Sequence, residues 1–194
     1  MSAQKWHRET FCRLIPSEAV YLIDWISVTA ERSEYGAILP VFLNDVASGL
    51  RARHIMREDG KPYMTRYAIH GFMPGDKPED YPLSIYLHHF HTPDYDPAPH
   101  SHPWAWARSL ILTGGYIERR VNVGTGEIAR IAGLRPGDIS RIDPSTFHVI
   151  EELFGDTWTL FSAGPKTNDW GFWNGERVVP WRDRMRERGL TPDY

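Results

Sequence analysis

The segment Pro99-His100-Ser101-His102-Pro103-Trp104 decides how the rest of this 194-residue chain is interpreted. Side chains alternate with a period of two along an extended backbone, so the imidazoles of His100 and His102 point to the same side. Together they form half of a metal site. A later strand-like run, residues 145–150, can bring His148 to them as a third ligand. The sequence therefore predicts a metal site made by His100, His102 and His148.

The composition limits the class of protein. A formal net charge of −3 at pH 7 gives no electrostatic case for binding nucleic acid or an acidic membrane surface. Cys12 is the only cysteine, which excludes an internal disulfide and a cysteine-based zinc cluster. The most apolar early segment, 14–30, carries Glu18 and Asp24 and has neither the pattern of a signal peptide nor that of a membrane span. We expect a protein of the reducing cytoplasm that binds a small molecule.

The predicted elements change from helical to extended near residue 60. Ser17 can cap a helix that runs to about residue 31, and a second helix is predicted over 41–53. Further along, short runs rich in aromatic and β-branched residues alternate with turns of Pro, Gly and Asp. Strands are predicted over 63–70, 83–91, 106–112, 116–123, 127–132, 138–142, 147–153 and 158–163. Many short strands with regular turns are typical of an antiparallel jelly roll.

These patterns divide the chain into three parts. We predict an N-terminal helical extension over 1–58, a jelly-roll domain over 59–180 and a charged tail over 181–194. The tail mixes arginines with acidic residues, which is typical of a solvated helix. The expected fold class is an all-β core with an N-terminal helical extension.

The histidine pair resembles the first motif of the cupin superfamily, G-x5-H-x-H-x3–4-E-x6-G. His100 and His102 match its two histidines, and Gly114 matches its last glycine. Ala107 stands where the motif has an acidic ligand, and Asp94 where it has its first glycine. The first motif is therefore matched in spacing but lacks the acid.

The second cupin motif, G-x5-P-x-G-x2-H-x3-N, is also matched in part. Gly137 and His148 stand at its first glycine and its histidine, while Asp143, Ser145 and Glu152 replace the proline, the second glycine and the asparagine. The resemblance implies a cupin-like double-stranded β-helix, the jelly roll of that superfamily. Other segments of the chain resemble small, uncharacterised bacterial and phage cupins, a resemblance that implies no reaction.

The resemblance also implies a divalent metal held by His100, His102 and His148. Because Ala107 replaces the acid, the ligand set is similar to that of thiol dioxygenases of the cysteine dioxygenase type, which use three histidines without a carboxylate. This similarity favours Fe(II), although three imidazoles also suit Zn, Ni, Mn or Cu. Three neutral ligands leave the charge of the metal uncompensated, which favours an anionic substrate.

Each of several further side chains has two possible roles. Arg66 can clamp a substrate carboxylate or form a structural salt bridge. His88 or His89 can orient a ligand imidazole through its other nitrogen, or either can be an ordinary strand residue. Glu118 can replace the missing acid, but a solvent-exposed strand carboxylate is the preferred interpretation. Trp104 can line a pocket, although an ordinary core position is preferred.

Three functions are compatible with these residues. The first is a non-haem, dioxygenase-type oxidoreductase that acts on a small anionic molecule. The second is a non-catalytic binding or assembly module, which would tolerate the loss of the acidic ligand. The third is a metal-independent sugar isomerase or epimerase, which would use a histidine–acid or histidine–tyrosine pair. Metal content separates the first function from the other two. Because cupin barrels often pair through their edge strands, the resemblance also allows a homodimer.

Overall fold

The structure is a computed structural model that describes residues 39–189. In chain order its elements are α1 (Leu39–Ser48), β1 (Arg51–Met56), β2 (Pro62–His70), a 3-10 helix (Pro78–Asp80), β3 (Ser84–Phe90), β4 (Ala107–Thr113), β5 (Tyr116–Val121), β6 (Ile128–Leu134), β7 (Ile139–Ile142), β8 (Phe147–Leu153), β9 (Thr157–Ala163), β10 (Gly171–Trp173), β11 (Val178–Pro180) and α2 (Trp181–Glu187). The predicted strands are confirmed as β2 to β9. The helix predicted from Ser17 lies outside the described residues.

Two antiparallel sheets build the fold. The larger sheet has the order β1-β2-β3-β9-β4-β7, and the smaller one the order β6-β5-β8. The smaller sheet continues through His100, whose backbone bridges His148 of β8 on one side and Phe172 of β10 on the other. With the His100 segment counted as a strand, β3-β9-β4-β7 lies opposite His100-β8-β5-β6. This is the strand order of an eight-stranded jelly roll, so the predicted cupin-like fold is confirmed.

An apolar layer joins the two sheets. Met64, Phe90 and Ile111 of the larger sheet pack against Tyr116 and Ile150 of the smaller one. Each of these residues comes from a different strand, as expected when one face of each sheet is buried against the other. These contacts identify which face of each strand points into the space between the two sheets.

Helix α1 covers the outer face of the larger sheet. Its buried residues Leu39, Leu43 and Ala47 pack on an apolar cluster that includes Leu87 and Trp158. The helix predicted over 41–53 was wrong beyond Ser48, because residues 51–56 pair with β2 as an edge strand instead. No helix within residues 39–189 is long and apolar enough to cross a membrane.

The short helix α2 is anchored to the loop that precedes the histidine pair. The guanidinium of Arg184 binds the Asp96 carboxylate at 3.0 and 3.2 Å, and Arg188 binds both Asp96 and Glu58. Trp181 is buried and stacks on Trp170 with the ring centroids 5.6 Å apart. The charged helix predicted here is therefore exposed on one side, through Arg182, Asp183, Arg186 and Glu187, and anchored to the protein on the other.

We expect Asp96→Asn to lower the free energy of unfolding by about 1–2 kcal/mol, because it removes the charge that both arginines bind. Burial raises the pKa of the Asp96 carboxyl, but Arg184, the Ala98 N–H and Arg188 outweigh it and lower that pKa below 3.8. The stabilisation is therefore complete above pH 4 and is lost as the pH falls through the lowered pKa. Urea unfolding at pH 7 and pH 3 measures both effects.

Asp183→Asn is the matched control, because the Asp183 side chain is 52% exposed although it pairs with Arg186 at 2.7 Å. We expect the control to change the free energy of unfolding by less than about 0.5 kcal/mol at either pH. Equal effects of the two substitutions would contradict the anchoring role of Asp96.

Candidate metal centre

The three predicted histidines converge between the sheets. Each ring offers one nitrogen, and these nitrogens all lie within 4.8 Å of one another. Nε2 of His102 and Nε2 of His148 are 2.7 Å apart. The backbones of His100 and His148 exchange two hydrogen bonds of 2.8 and 3.0 Å, which fix the register of their strands. The structure thus brings together the ligand set that the sequence predicts.

The backbone around the histidine pair is held extended from both sides. The Ser101 N–H donates to the Gly171 carbonyl at 2.9 Å, and the Gly171 N–H donates back to Ser101 Oγ at 3.2 Å. Asp94 exchanges two hydrogen bonds with the backbone of Ile150, at 3.0 Å through its N–H and at 2.6 Å through its carboxylate. Because Ser101 is anchored on one side, alternation turns both imidazoles to the other side.

A capped turn places His148. One carboxylate oxygen of Asp143 accepts hydrogen bonds from the Ser145 N–H at 3.0 Å, from Ser145 Oγ at 2.6 Å and from Thr146 Oγ1 at 3.1 Å. Asp and Ser side chains form such turns by binding the backbone just ahead of them. In this chain a side-chain cap therefore occupies the part of the second motif in which cupins have proline and glycine.

The imidazoles of His100 and His102 are neutral at pH 7. Burial lowers the pKa of His100 to about 4. Burial, together with the charges of His148 and His100, lowers the pKa of His102 well below its usual value. Neutral imidazole nitrogens are the form that binds a divalent metal.

The spacing of the nitrogens also suits a metal. Two imidazole nitrogens bound to one metal at about 2.1 Å are about 3.0–3.4 Å apart at angles near 90–110°. The 2.7 Å separation between His102 and His148 needs to open by less than 1 Å to reach that range. The residues present fit a mononuclear metal with three nitrogen ligands.

Glu118 contacts His148 on the side of the ring that faces away from the other two histidines. The Nδ1–H of His148 donates to Glu118 Oε1, and Nη2 of Arg120 donates to the two carboxylate oxygens at 3.0 and 3.2 Å. Ser140 Oγ lies 3.3 Å from Oε2 of the same carboxylate. Burial raises the pKa of the Glu118 carboxyl, but His148 and Arg120 outweigh it and lower the pKa, so the group is ionised. A buried carboxylate therefore orients the imidazole and presents its Nε2 to the site.

The predicted exposure of Glu118 was wrong, since its side chain is 0% exposed. The neighbouring Arg119 and Arg120 suggest a solvated strand, but Glu118 shares the inner face with the buried Tyr116. The pairing of β5 with β8 also shifts its register between Ile117 and Glu118, and this shift sets which residues of β8 lie opposite Glu118. The sequence signal for the burial of Glu118 was its spacing of two residues from Tyr116, which places both side chains on the same face of β5.

The position at which the cupin motif has an acidic ligand belongs to the apolar core in this chain. Ala107 is completely buried, in a cluster that includes Trp104, Ile142 and Phe161. Glu118 does not replace the acid as a ligand, because it contacts Nδ1 of His148 whereas Nε2 faces the other histidines. The side chains that could hold a metal here are therefore three imidazoles without a carboxylate.

The prediction that His89 orients a ligand imidazole was wrong. Its Nε2 contacts Asp156 at 2.7 Å, and its ring stacks on Trp158 at 4.1 Å, on the outer face of the larger sheet. The two histidines alternate along β3, so His88 lies on the inner face when His89 lies outside. The alternation was visible in the sequence, but the identity of the inner face depends on the packing of the sheets.

His88 and Arg66 form a pair on the inner face of the larger sheet. Nε of Arg66 donates to Nε2 of His88 at 3.1 Å, and the His88 ring stacks on Phe161 at 4.7 Å. Burial and the charge of Arg66 lower the pKa of His88 well below its usual value, so His88 is neutral. The Phe161 ring in turn meets the Trp104 ring that stacks on His102, so Arg66 and the site lie on the same side of the larger sheet. A role of Arg66 as a substrate clamp stays a prediction, as does one of His88 toward a ligand imidazole.

No protein-family model matches this chain, and no curated protein matches its sequence. Among solved structures it is similar to Fe(II)-HppE with the alternative substrate (S)-1-HPP, with a TM-score of 0.43 and 12% identity over 61% of this chain and 57% of that one. It is also similar to recombinant oxalate oxidase in complex with glycolate, with a TM-score of 0.37 and 13% identity over 57% of this chain and 58% of that one. A third similar structure is Streptomyces PAC13 with uridine, with a TM-score of 0.42 and 9% identity over 69% of this chain and 89% of that one.

The matched region spans little more than half the length of the HppE and oxalate oxidase chains. Similarities of this size carry no argument about function, and the fold assignment rests on the strand order. The fold and the site together define a cupin-like jelly roll with a three-histidine centre between its sheets.

Proposed function

We propose that this protein is a mononuclear metal-dependent oxidoreductase of the dioxygenase type that acts on a small anionic molecule in the cytoplasm. The observation that carries the proposal is the convergence of three imidazoles from two extended segments within 4.8 Å. Fe(II) is the metal we favour, and the same ligands suit Zn, Ni, Mn or Cu. A bound metal of this kind supplies Lewis acidity and, for iron, redox chemistry.

The side chains of the site have separate roles in this proposal. His100, His102 and His148 hold the metal, and Glu118 keeps the Nδ1–H of His148 in place so that its Nε2 is free to bind. The guanidinium of Arg66 supplies positive charge on the inner face, where it favours an anionic group. Because none of the three protein ligands is charged, the substrate itself balances the charge of the metal.

A second candidate is favoured by one contact. The His148–Glu118 pair has the form of a histidine–acid pair, which a metal-independent isomerase or epimerase would use to move a proton. The Trp104 ring, which stacks on His102, and the Phe161 ring, which meets Trp104, make this part of the interior less polar than we expect for such an enzyme. Metal content distinguishes the two candidates.

We expect the protein, purified without a histidine tag or added metal, to carry about one metal ion per chain, measured by inductively coupled plasma mass spectrometry. His102→Ala should remove that metal and leave a folded protein, since it deletes one of three ligands. His54→Ala is the matched control, because His54 is an exposed histidine on β1 and should retain the metal. Circular dichroism establishes that both variants are folded.

Two results would count against the proposal. Metal retained at full stoichiometry in His102→Ala would remove the ligand assignment. No metal in the wild-type protein, even after anaerobic incubation with Fe(II), would leave the isomerase or the non-catalytic binding module. If Fe(II) is bound, oxygen consumption with thiols and other small acids tests the reaction itself.

A further inference from the structure

Trp104 continues the row of side chains that forms the site. His100, His102 and Trp104 occupy alternate positions of one extended segment, so all three lie on the same side. The Trp104 ring stacks on His102 with the centroids 5.2 Å apart and the planes 22° apart, and it meets Phe161 edge-on at 5.1 Å. Trp104 is therefore part of the wall directly beside a ligand histidine.

The indole nitrogen of this wall has no protein acceptor. Trp104 is only 7% exposed, and its Nε1 is buried without a hydrogen-bond partner in the part of the chain that the structure describes. An indole N–H can only donate, and buried donors in native proteins are almost always paired. The unpaired N–H therefore indicates that an acceptor from outside the described protein atoms completes it.

A second buried polar atom points to the same region. Thr159 is fully buried, and its Oγ1 also has no partner within residues 39–189. Thr159 and Phe161 are alternate residues of β9 and share its inner face, and Phe161 contacts the Trp104 ring. Trp104 and Thr159 are thus both neighbours of Phe161, the first through a ring contact and the second two residues away on the same face of β9.

The charge of the surroundings defines what the acceptor is. The three histidines of the site add no negative charge, and the Glu118 carboxylate behind His148 is already paired with Arg120. A neutral acceptor would leave the positive charge of the metal without an anion among its ligands. An oxyanion satisfies the donor and the charge together, and a carboxylate offers two oxygens for the purpose.

We propose that the Trp104 indole N–H donates a hydrogen bond to an oxygen of a carboxylate ligand bound at the three-histidine centre. This inference rests on the proposed function, because it assumes a metal at that centre. It assigns Trp104 as a substrate-binding residue and selects small carboxylates as the substrate class. Ligands without an acceptor oxygen, such as chloride, gain less from the same position.

The first test uses the wild-type protein loaded with Zn(II), which is diamagnetic, and acetate as the probe. In a proton–nitrogen correlation spectrum, the indole signal missing from Trp104→Phe identifies Trp104. We expect saturating acetate to move that signal downfield more than the other indole signals, because a hydrogen bond to an anion deshields the proton. A Trp104 signal that saturating acetate does not move overturns the inference without relying on a variant.

The second test measures acetate affinity from the visible spectrum of the Co(II)-loaded protein. Trp104→Phe keeps an aromatic ring beside His102 and removes the donor, so it should weaken acetate binding at least about tenfold and chloride binding much less. Trp106→Phe is the matched control, because Trp106 packs against the outer cluster of the larger sheet and should leave acetate affinity unchanged. The affinity for Co(II) should be the same in all three proteins.

The outcomes separate this inference from the proposed function. Failure of the wild-type protein to bind Co(II) would overturn the metal centre, and the inference with it. Co(II) bound through His102 with equal acetate affinity in wild type and Trp104→Phe would overturn the role of Trp104 alone. A Co(II) spectrum that acetate does not change would overturn the carboxylate class.

Discussion

Replacing Glu118 by Ala should lower the free energy of unfolding by about 3 kcal/mol, one of the largest single-residue effects we expect in this protein. The substitution leaves the Arg120 guanidinium and His148 Nδ1 without the carboxylate that both contact. Removing one member of a buried pair costs about 3–5 kcal/mol, and the Arg120 side chain is 25% exposed, so the lower end applies. Urea unfolding of the wild-type protein and the variant measures the difference.

Glu118→Gln separates the positioning role of this residue from its role in stability. Glutamine has the shape of glutamate and can still accept from His148 Nδ1–H, but it carries no charge. We expect the affinity for Zn(II) to fall by about 10- to 100-fold while the protein stays folded, because the charged carboxylate fixes the tautomer and the orientation of the His148 imidazole. Competition with a chromogenic chelator measures this affinity.

Glu152→Gln is the control for the loss of a negative charge. Glu152 is exposed on β8, the same strand as His148. The Glu152→Gln variant should bind Zn(II) with the affinity of the wild-type protein. If Glu118→Gln also binds Zn(II) with wild-type affinity, the contact to His148 serves packing alone and the positioning role fails.

The convergence of the three histidines could be predicted because the sequence signals for it are local. Two histidines separated by one residue share a side of any extended chain, and the spacing from Gly137 to His148 follows a known motif. Glu118 could not be predicted in this way, because its burial depends on which face of β5 meets the other sheet. The flanking arginines even favoured the opposite conclusion.

Two further predictions failed for the same kind of reason. The segment 51–56 carries residues that tolerate a helix, and its strand structure comes from pairing with β2. Alternation separated His88 from His89, but only the contacts of the folded sheets show that His88 is inside. Local pattern thus predicted the element types well, whereas the inner and outer faces depended on contacts between distant segments.

Gly114, the last glycine of the first motif, should not tolerate a side chain. Its φ is +63°, in the left-handed region, where a residue with a Cβ costs about 1–2 kcal/mol. A Cβ there would also lie 2.6 Å from Thr157 Oγ1 and 2.7 Å from the carbonyl oxygens of Asp156 and Phe154. Relieving such contacts costs about 1–3 kcal/mol more, so Gly114→Ala should lose about 2–5 kcal/mol of stability in urea unfolding.

Gly137→Ala isolates the backbone part of this effect. Gly137 has a φ of +93°, but a Cβ there meets no atom within 4 Å, so only the conformational cost of about 1–2 kcal/mol applies. The difference between the two variants therefore measures the crowding where the turn from β4 into β5 meets the residues before β9. That turn leads into the strand that carries Glu118, so an equally small loss in both variants would mean that the turn can shift without disturbing the fold.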